Sequence, residues 1–167
     1  MYRIGQGISY LRPRDASLVD SRLRQLLPPE EWRLIEPLTV ADRAHHLDLH
    51  DRLVRDGCQD QELLTAALLH DVGKAGQGVR VGLVGRTLAV LLGSAAPGLS
   101  RRIASSSGRG WRRTLNLAEH HASLGADLAR AAGCSERVCW IIAHHHDEAV
   151  EDEALRLLQR ADDGELR

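Results

Sequence analysis

Ala66-Ala67-Leu68-Leu69-His70-Asp71-Val72-Gly73-Lys74 is an apolar run that ends on an ionisable pair. Asp60 offers a helix N-cap upstream and Gly73 a stop downstream, so the spacing predicts one helix through His70. On that helix Leu63, Ala67 and His70 share a stripe, and Leu64, Leu68 and Asp71 share the adjacent one. Both ionisable groups therefore point into the core. A buried, ionised carboxylate costs several kcal/mol unless something positive neutralises it. A metal ion and an arginine are the two candidates, and this stretch alone does not choose between them.

The same pattern recurs away from this run. All nine histidines lie in or beside four predicted helices. In a helix from Thr114 to about Ala131, Leu117, His121, Leu124 and Leu128 form a stripe, while His120 falls in line with Arg113, Asn116 and Asp127. His121 thus faces the core and His120 faces water. In a helix from Ser135 through His146, Val138, Ile141, Ile142 and His145 share a face, with His146 on its flank and His144 nearer the outside. In the last helix, about Asp152 to Ala161, Leu155, Leu158 and Asp162 align, whereas Asp163 aligns with Arg156, Gln159 and Arg160. One inward histidine is usually a satisfied core residue. Four helices sending His or Asp inward together are hard to satisfy by hydrogen bonds, and mixed nitrogen and oxygen donors suit a divalent metal. In the helix opened by Thr39 and closed by Gly57 the phase is weaker. His45 neighbours Ala41 and Leu49, His46 pairs with His50, and periodicity leaves the choice between them open.

The rest of the chain frames this centre. The 167 residues fit one domain, and a composition 43% hydrophobic with no Phe points to helices packed through Leu, Ala, Val and Ile. The expected fold is all-α, with residues 1–39 as a helical extension and 40–167 as the main domain. Asp15 would cap a first helix over 15–27, with Val19, Leu23, Leu26 and Leu27 on one face, and Pro28-Pro29-Glu30-Glu31 would start a second. Residues 83–93 read as a buried helix and 105–110 as a loop. The stretch Val79 to Leu99 is broken by Arg80, Arg86 and Pro97 and is a poor membrane span. A net charge of −1 argues against general nucleic-acid binding. No signal peptide is visible, and Cys58, Cys134 and Cys139 read as reduced thiols, so the expected location is the cytoplasm. Of 22 basic residues only Lys74 is a lysine, a bias that fits a GC-rich genome. Its survival beside Asp71 is either chance or a need for a compact ammonium that meets a phosphate.

Asp42-Arg43-Ala44-His45, the segment Ala66 to Lys74, His121-Ala122-Ser123-Leu124-Gly125, His145-His146-Asp147 and Ala161-Asp162 together resemble the HD superfamily of metal-dependent phosphohydrolases, in particular its short stand-alone bacterial members. The resemblance spans roughly residues 40–163. It implies a helical bundle with a metal site in its interior. It assigns His45, His70, Asp71 and Asp162 to the core metal set, and makes His121, His145 and His146 similar to the extra ligands of two-metal members. It also favours His45 over His46. Asp147 stands where the cyclic-dinucleotide branch usually has Glu, and the Gly-Tyr-Pro signature of that branch is absent, which argues against cyclic di-GMP hydrolysis.

The expected activity is hydrolysis of a phosphate ester or anhydride in a nucleotide or related small molecule. One or two divalent ions are expected, with Mn, Fe, Co or Zn favoured and Mg admitted. Asp71 would bridge two ions, and Lys74 would balance charge on the phosphate or, on the blander reading, only stabilise a helix end. Arg80, Arg86, Arg109, Arg112 and Arg113 are candidate phosphate binders. The substrate would be small and phosphorylated, with neither membrane nor specific nucleic acid as partner. A di-iron oxygenase and a non-catalytic metal- or nucleotide-binding module are the alternatives.

Overall fold

In a computed structural model the described residues are 15–74, 111–147, 149 and 151–166, with only the backbone described over 111–119. They form seven α-helices and one short 3₁₀ turn: α1 Ala16–Leu26, α2 Pro29–Ile35, α3 Val40–Arg55, α4 Gln61–Leu69, the turn Val72–Lys74, α5 Trp111–Ala131, α6 Glu136–His144 and α7 Glu153–Asp162. No strand occurs among them, and no described helix is long and apolar enough to cross a membrane. The predicted helix over 83–93, the loop over 105–110 and Arg80, Arg86 and Arg109 lie outside the described residues.

The helix starts follow the capping residues. Asp15, Thr39, Asp60, Ser135 and Asp152 each accept a hydrogen bond from an amide of the turn that follows, satisfying donors that a helix start leaves open. Pro29 opens α2 with Glu30 and Glu31 in its first turn. Gly57 and Gly133 reverse the chain after α3 and α5 at φ of 90° and 91°. Three ends differ from expectation. α5 is helical from Trp111, three residues before Thr114, and α6 stops at His144. His70 likewise lies in the turn after α4, so His70, Asp71, His145 and His146 all sit at helix exits, where side chains can turn toward one another.

α4 is the centre of the bundle. Six of its nine residues are buried, and it packs against α2, α3, α6 and α7. Its Leu63 and Leu69 are fully buried, and Leu23, Ile35, Leu49, Leu53, Ile141, Ile142, Leu155 and Leu158 are fully buried around it. Removing each such side chain from water contributes roughly 1.5–3 kcal/mol. Leu26 departs from the predicted face, being 37% exposed. On α5 the innermost line is His121, Gly125 and Ala129 at i, i+4 and i+8, with Leu124 and Leu128 only half-buried. Small residues let the 3₁₀ turn come close: the Gly73 amide nitrogen is 3.3 Å from where a Gly125 Cβ would stand. This contact sets Asp71 against His121.

Candidate metal centre

His70 is 2% exposed, and its Nδ1–H donates to the Ala67 carbonyl at 2.9 Å. His145 is built alike at the exit of α6, with Nδ1 2.7 Å from the Ile142 carbonyl. His46 on α3, fully buried, has Nδ1 2.8 Å from the Leu68 carbonyl. A carbonyl can only accept, so each ring carries a proton on Nδ1, and in its neutral form the lone pair is on Nε2. Metal-ligating histidines have this outer-shell arrangement.

Asp71 stands between two histidine groups. Its Oδ2 faces His70 Nε2 at 3.5 Å and is paired with the Lys74 ammonium. Its Oδ1 faces His121 Nε2 at 3.3 Å and His145 Nε2 at 3.7 Å. Neither approach to Oδ1 has hydrogen-bond geometry, and Asp71 Oδ1, His145 Nε2 and His46 Nε2 are buried with no hydrogen-bond partner. His121 Nε2 lies 3.1 Å from His146 Nε2, although His146 is itself exposed. On the other side His45 Nε2 is 3.0 Å from Asp162 Oδ1.

Burial works to raise the Asp71 carboxyl, but the Lys74 ammonium and His70 hold it well below the usual carboxylate range. Asp162 is also held low: burial opposes, while the His45 hydrogen bond and the charge of His70 prevail. Burial pushes His46 and His145 down, keeping them neutral.

Asp71, His121, His145 and His146 each bring a ligand atom to within 4.8 Å of the others, and so do His45, His70 and Asp162. All seven residues predicted as ligands therefore converge. Buried acceptors without donors, and ring nitrogens aimed at each other and at a carboxylate, fit a divalent cation with mixed nitrogen and oxygen donors. His120 is exposed and His144 stacks on Trp140, so neither joins.

Two supports were not legible in the sequence. Gln159, on the face of α7 read as solvated, donates to the His145 and Asp147 carbonyls at 3.2 and 3.1 Å. Arg52 donates to the Ala161 carbonyl at 3.0 Å, which ties the Asp162 end of α7 to α3. The α3 residue His46 is the third surprise, because it is more buried than His45.

The HD domain family model matches residues 33–165, and the chain belongs to this family, whose members are typically metal-dependent phosphohydrolases. No curated protein and no solved structure matches the chain.

Proposed function

We propose that this protein is a metal-dependent phosphohydrolase acting on a small phosphorylated molecule, a nucleotide or a relative of one. The observation that carries the reading is Asp71, whose two carboxylate oxygens face different histidine groups. His45, His70, Asp71 and Asp162 would hold one ion, and Asp71, His121, His145 and His146 a second. A divalent ion in such a site lowers the pKa of water and polarises a phosphoryl oxygen. The chain supplies the rest. The neutral imidazole of His145, fixed by its Nδ1–H bond to a carbonyl, presents Nε2 without having to lose a proton, whereas His70, which burial works to lower but the Asp71 carboxylate holds above its ordinary value, would give up a proton as the ion binds. Asp71 stays ionised and shares its charge between both groups. The Lys74 ammonium, at the lip of the centre and 35% exposed, can pass from Asp71 Oδ2 to a substrate phosphate.

The test is a phosphate-release screen over nucleotides and phosphomonoesters, with protein purified without chelator and reloaded with Mn, Fe, Co, Zn or Mg. Release above the stripped protein supports the reading. Bound iron with oxygen uptake and no phosphate release would replace it with an oxygenase, and binding without turnover with a sensing module.

A further inference from the structure

His46 has no place in the ligand set above, yet its surroundings are those of a ligand. Its ring is fully buried, and its Nδ1–H is spent on the Leu68 carbonyl. Its Nε2 is buried with no hydrogen-bond partner. Leaving such an acceptor unmet in the core is unfavourable, because its bond to water is lost and not replaced. A stacking role for the ring needs no lone pair and could be filled by an apolar residue. The rings of His45, His46 and His70 form a triangle with centroid separations of 5.8, 5.6 and 4.6 Å, all inclined to one another. His46, His70 and Asp71 also bring one ligand atom each to within 4.8 Å of the others. His50, one turn further along α3 and buried too, shows the contrast: its Nδ1 meets Asp51 Oδ1 at 3.0 Å, and it joins none of these groups.

We infer that His46 is a metal ligand through Nε2, completing with His45, His70, Asp71 and Asp162 an ion site of three imidazoles and two carboxylates. This rests on the proposed metal-dependent activity and narrows it. A site with three imidazoles suits Fe, Co or Zn and disfavours Mg, which prefers oxygen donors and keeps its water. Residues 45 and 46 are adjacent on one helix, so α3 would grip the ion with two neighbouring side chains.

The experiment is a cobalt(II) titration of the full chain, followed by visible absorption, on wild type, His46→Asn and the control His50→Asn. Asn places its amide N–H near the position of histidine Nδ1, so the bond to the Leu68 carbonyl is kept while the Nε2 lone pair is lost. The expected result is cobalt affinity at least about tenfold weaker and a changed band pattern in His46→Asn, with His50→Asn like wild type. Weakened affinity with unchanged bands would make His46 a positioning residue and overturn its ligation, as would an unchanged titration. Wild type that takes up no metal would overturn the proposed function itself. If His46→Asn does not fold, wild-type protein labelled with 15N-histidine decides. Zinc should move the His46 Nε2 resonance together with those of His45 and His70, and a stationary His46 Nε2 overturns the inference.

Discussion

Gly73 packs directly on the carbonyl of His121: a Cβ at residue 73 would overlap that oxygen and come within 2.8 Å of the Gly125 amide nitrogen. Both obstacles are helix backbone, which cannot turn aside. Gly73→Ala should therefore lift the 3₁₀ turn, with Asp71, off α5. We expect a loss of about 1–3 kcal/mol or more together with weakened metal uptake. Gly133→Ala has open space around it at a positive φ. It should cost about 1–2 kcal/mol from backbone strain alone and leave uptake unchanged. Thermal melts and elemental analysis on both variants check the contrast, and equal uptake would show that the turn is not held by this contact.

Neighbouring residues should differ sharply. His121→Ala should weaken metal binding by more than about tenfold, while the exposed His120→Ala should not. Asp162→Ala should behave like the first and Asp163→Ala like the second. Equal losses within either pair would mean that the site draws on the other face of that helix.

The success of phase at these pairs, and its silence at His45 and His46, have one physical cause. α5 and α7 each bury one side, so a step of one residue crosses from core to water. α3 packs against α1, α4 and α7, and Asp42, Arg43, Ala44, His46, Leu47, Leu49, His50 and Leu53 are all buried. A narrow stripe, Ala41, His45, Asp48 and Arg52, is partly exposed, and charged Asp42 and Arg43 lie on the buried side, so polarity does not mark which face is core. Capping residues were legible because the cap is a local contact. Gln159 and Arg52 were not, because their partners are carbonyls of other segments, and any residue supplies a carbonyl. The half-buried Leu124 and Leu128 show the same limit: hydrophobicity marks the stripe, but close approach is set by Gly125 and Ala129.

Lys74→Ala in metal-loaded protein should lower turnover by about 2–4 kcal/mol of barrier, roughly a hundredfold or more, with metal content unchanged. Because the ammonium pairs with Asp71, the stripped variant should also melt lower than stripped wild type. Lys74→Arg should restore the charge but only part of the rate, since a planar fork does not replace a compact ammonium. Wild-type turnover in Lys74→Arg would remove any need for an ammonium.

Chelation should lower the melting temperature, and reloading should recover it. At a hundredfold excess of ion over its Kd the stabilisation is about 2.7 kcal/mol. Acid should release the ion by protonating His70, which burial works to lower but the Asp71 carboxylate holds above its ordinary value; His46 and His145, pushed down by burial, follow at lower pH. Asp71 and Asp162 have lowered folded pKa values, so they stay ionised until the pH falls below the usual carboxylate range. A release midpoint below that range, followed by metal-sensitive dye, would contradict this order.

Asp152 accepts from the Leu155 amide at 2.9 Å and pairs with Arg137 Nη2 at 2.9 and 2.8 Å. The Leu155 bond, and Arg137 against slight burial, lower its pKa. Its stabilisation is therefore complete above the ordinary carboxylate pKa and fades as pH falls through the lowered one. Asp152→Ala should cost about 1 kcal/mol at neutral pH and less once Asp152 is protonated, when the charge is gone and only a neutral cap is left to lose. Asp152→Asn should keep the cap and lose less. Melting curves across the acid range, at saturating metal, read both.

The proposed ligands come from α3, the exit of α4, α5, the exit of α6 and the end of α7. An ion bound there would be a knot tying segments that an unfolded chain holds far apart, and no fragment would contain enough of them to bind it. Such contacts form late in folding, because distant segments must be closed into loops before they gain anything. The ion would then be held in full only by a nearly finished bundle. The moment at which a refolding chain first takes up metal would become a clock for the completion of the whole fold.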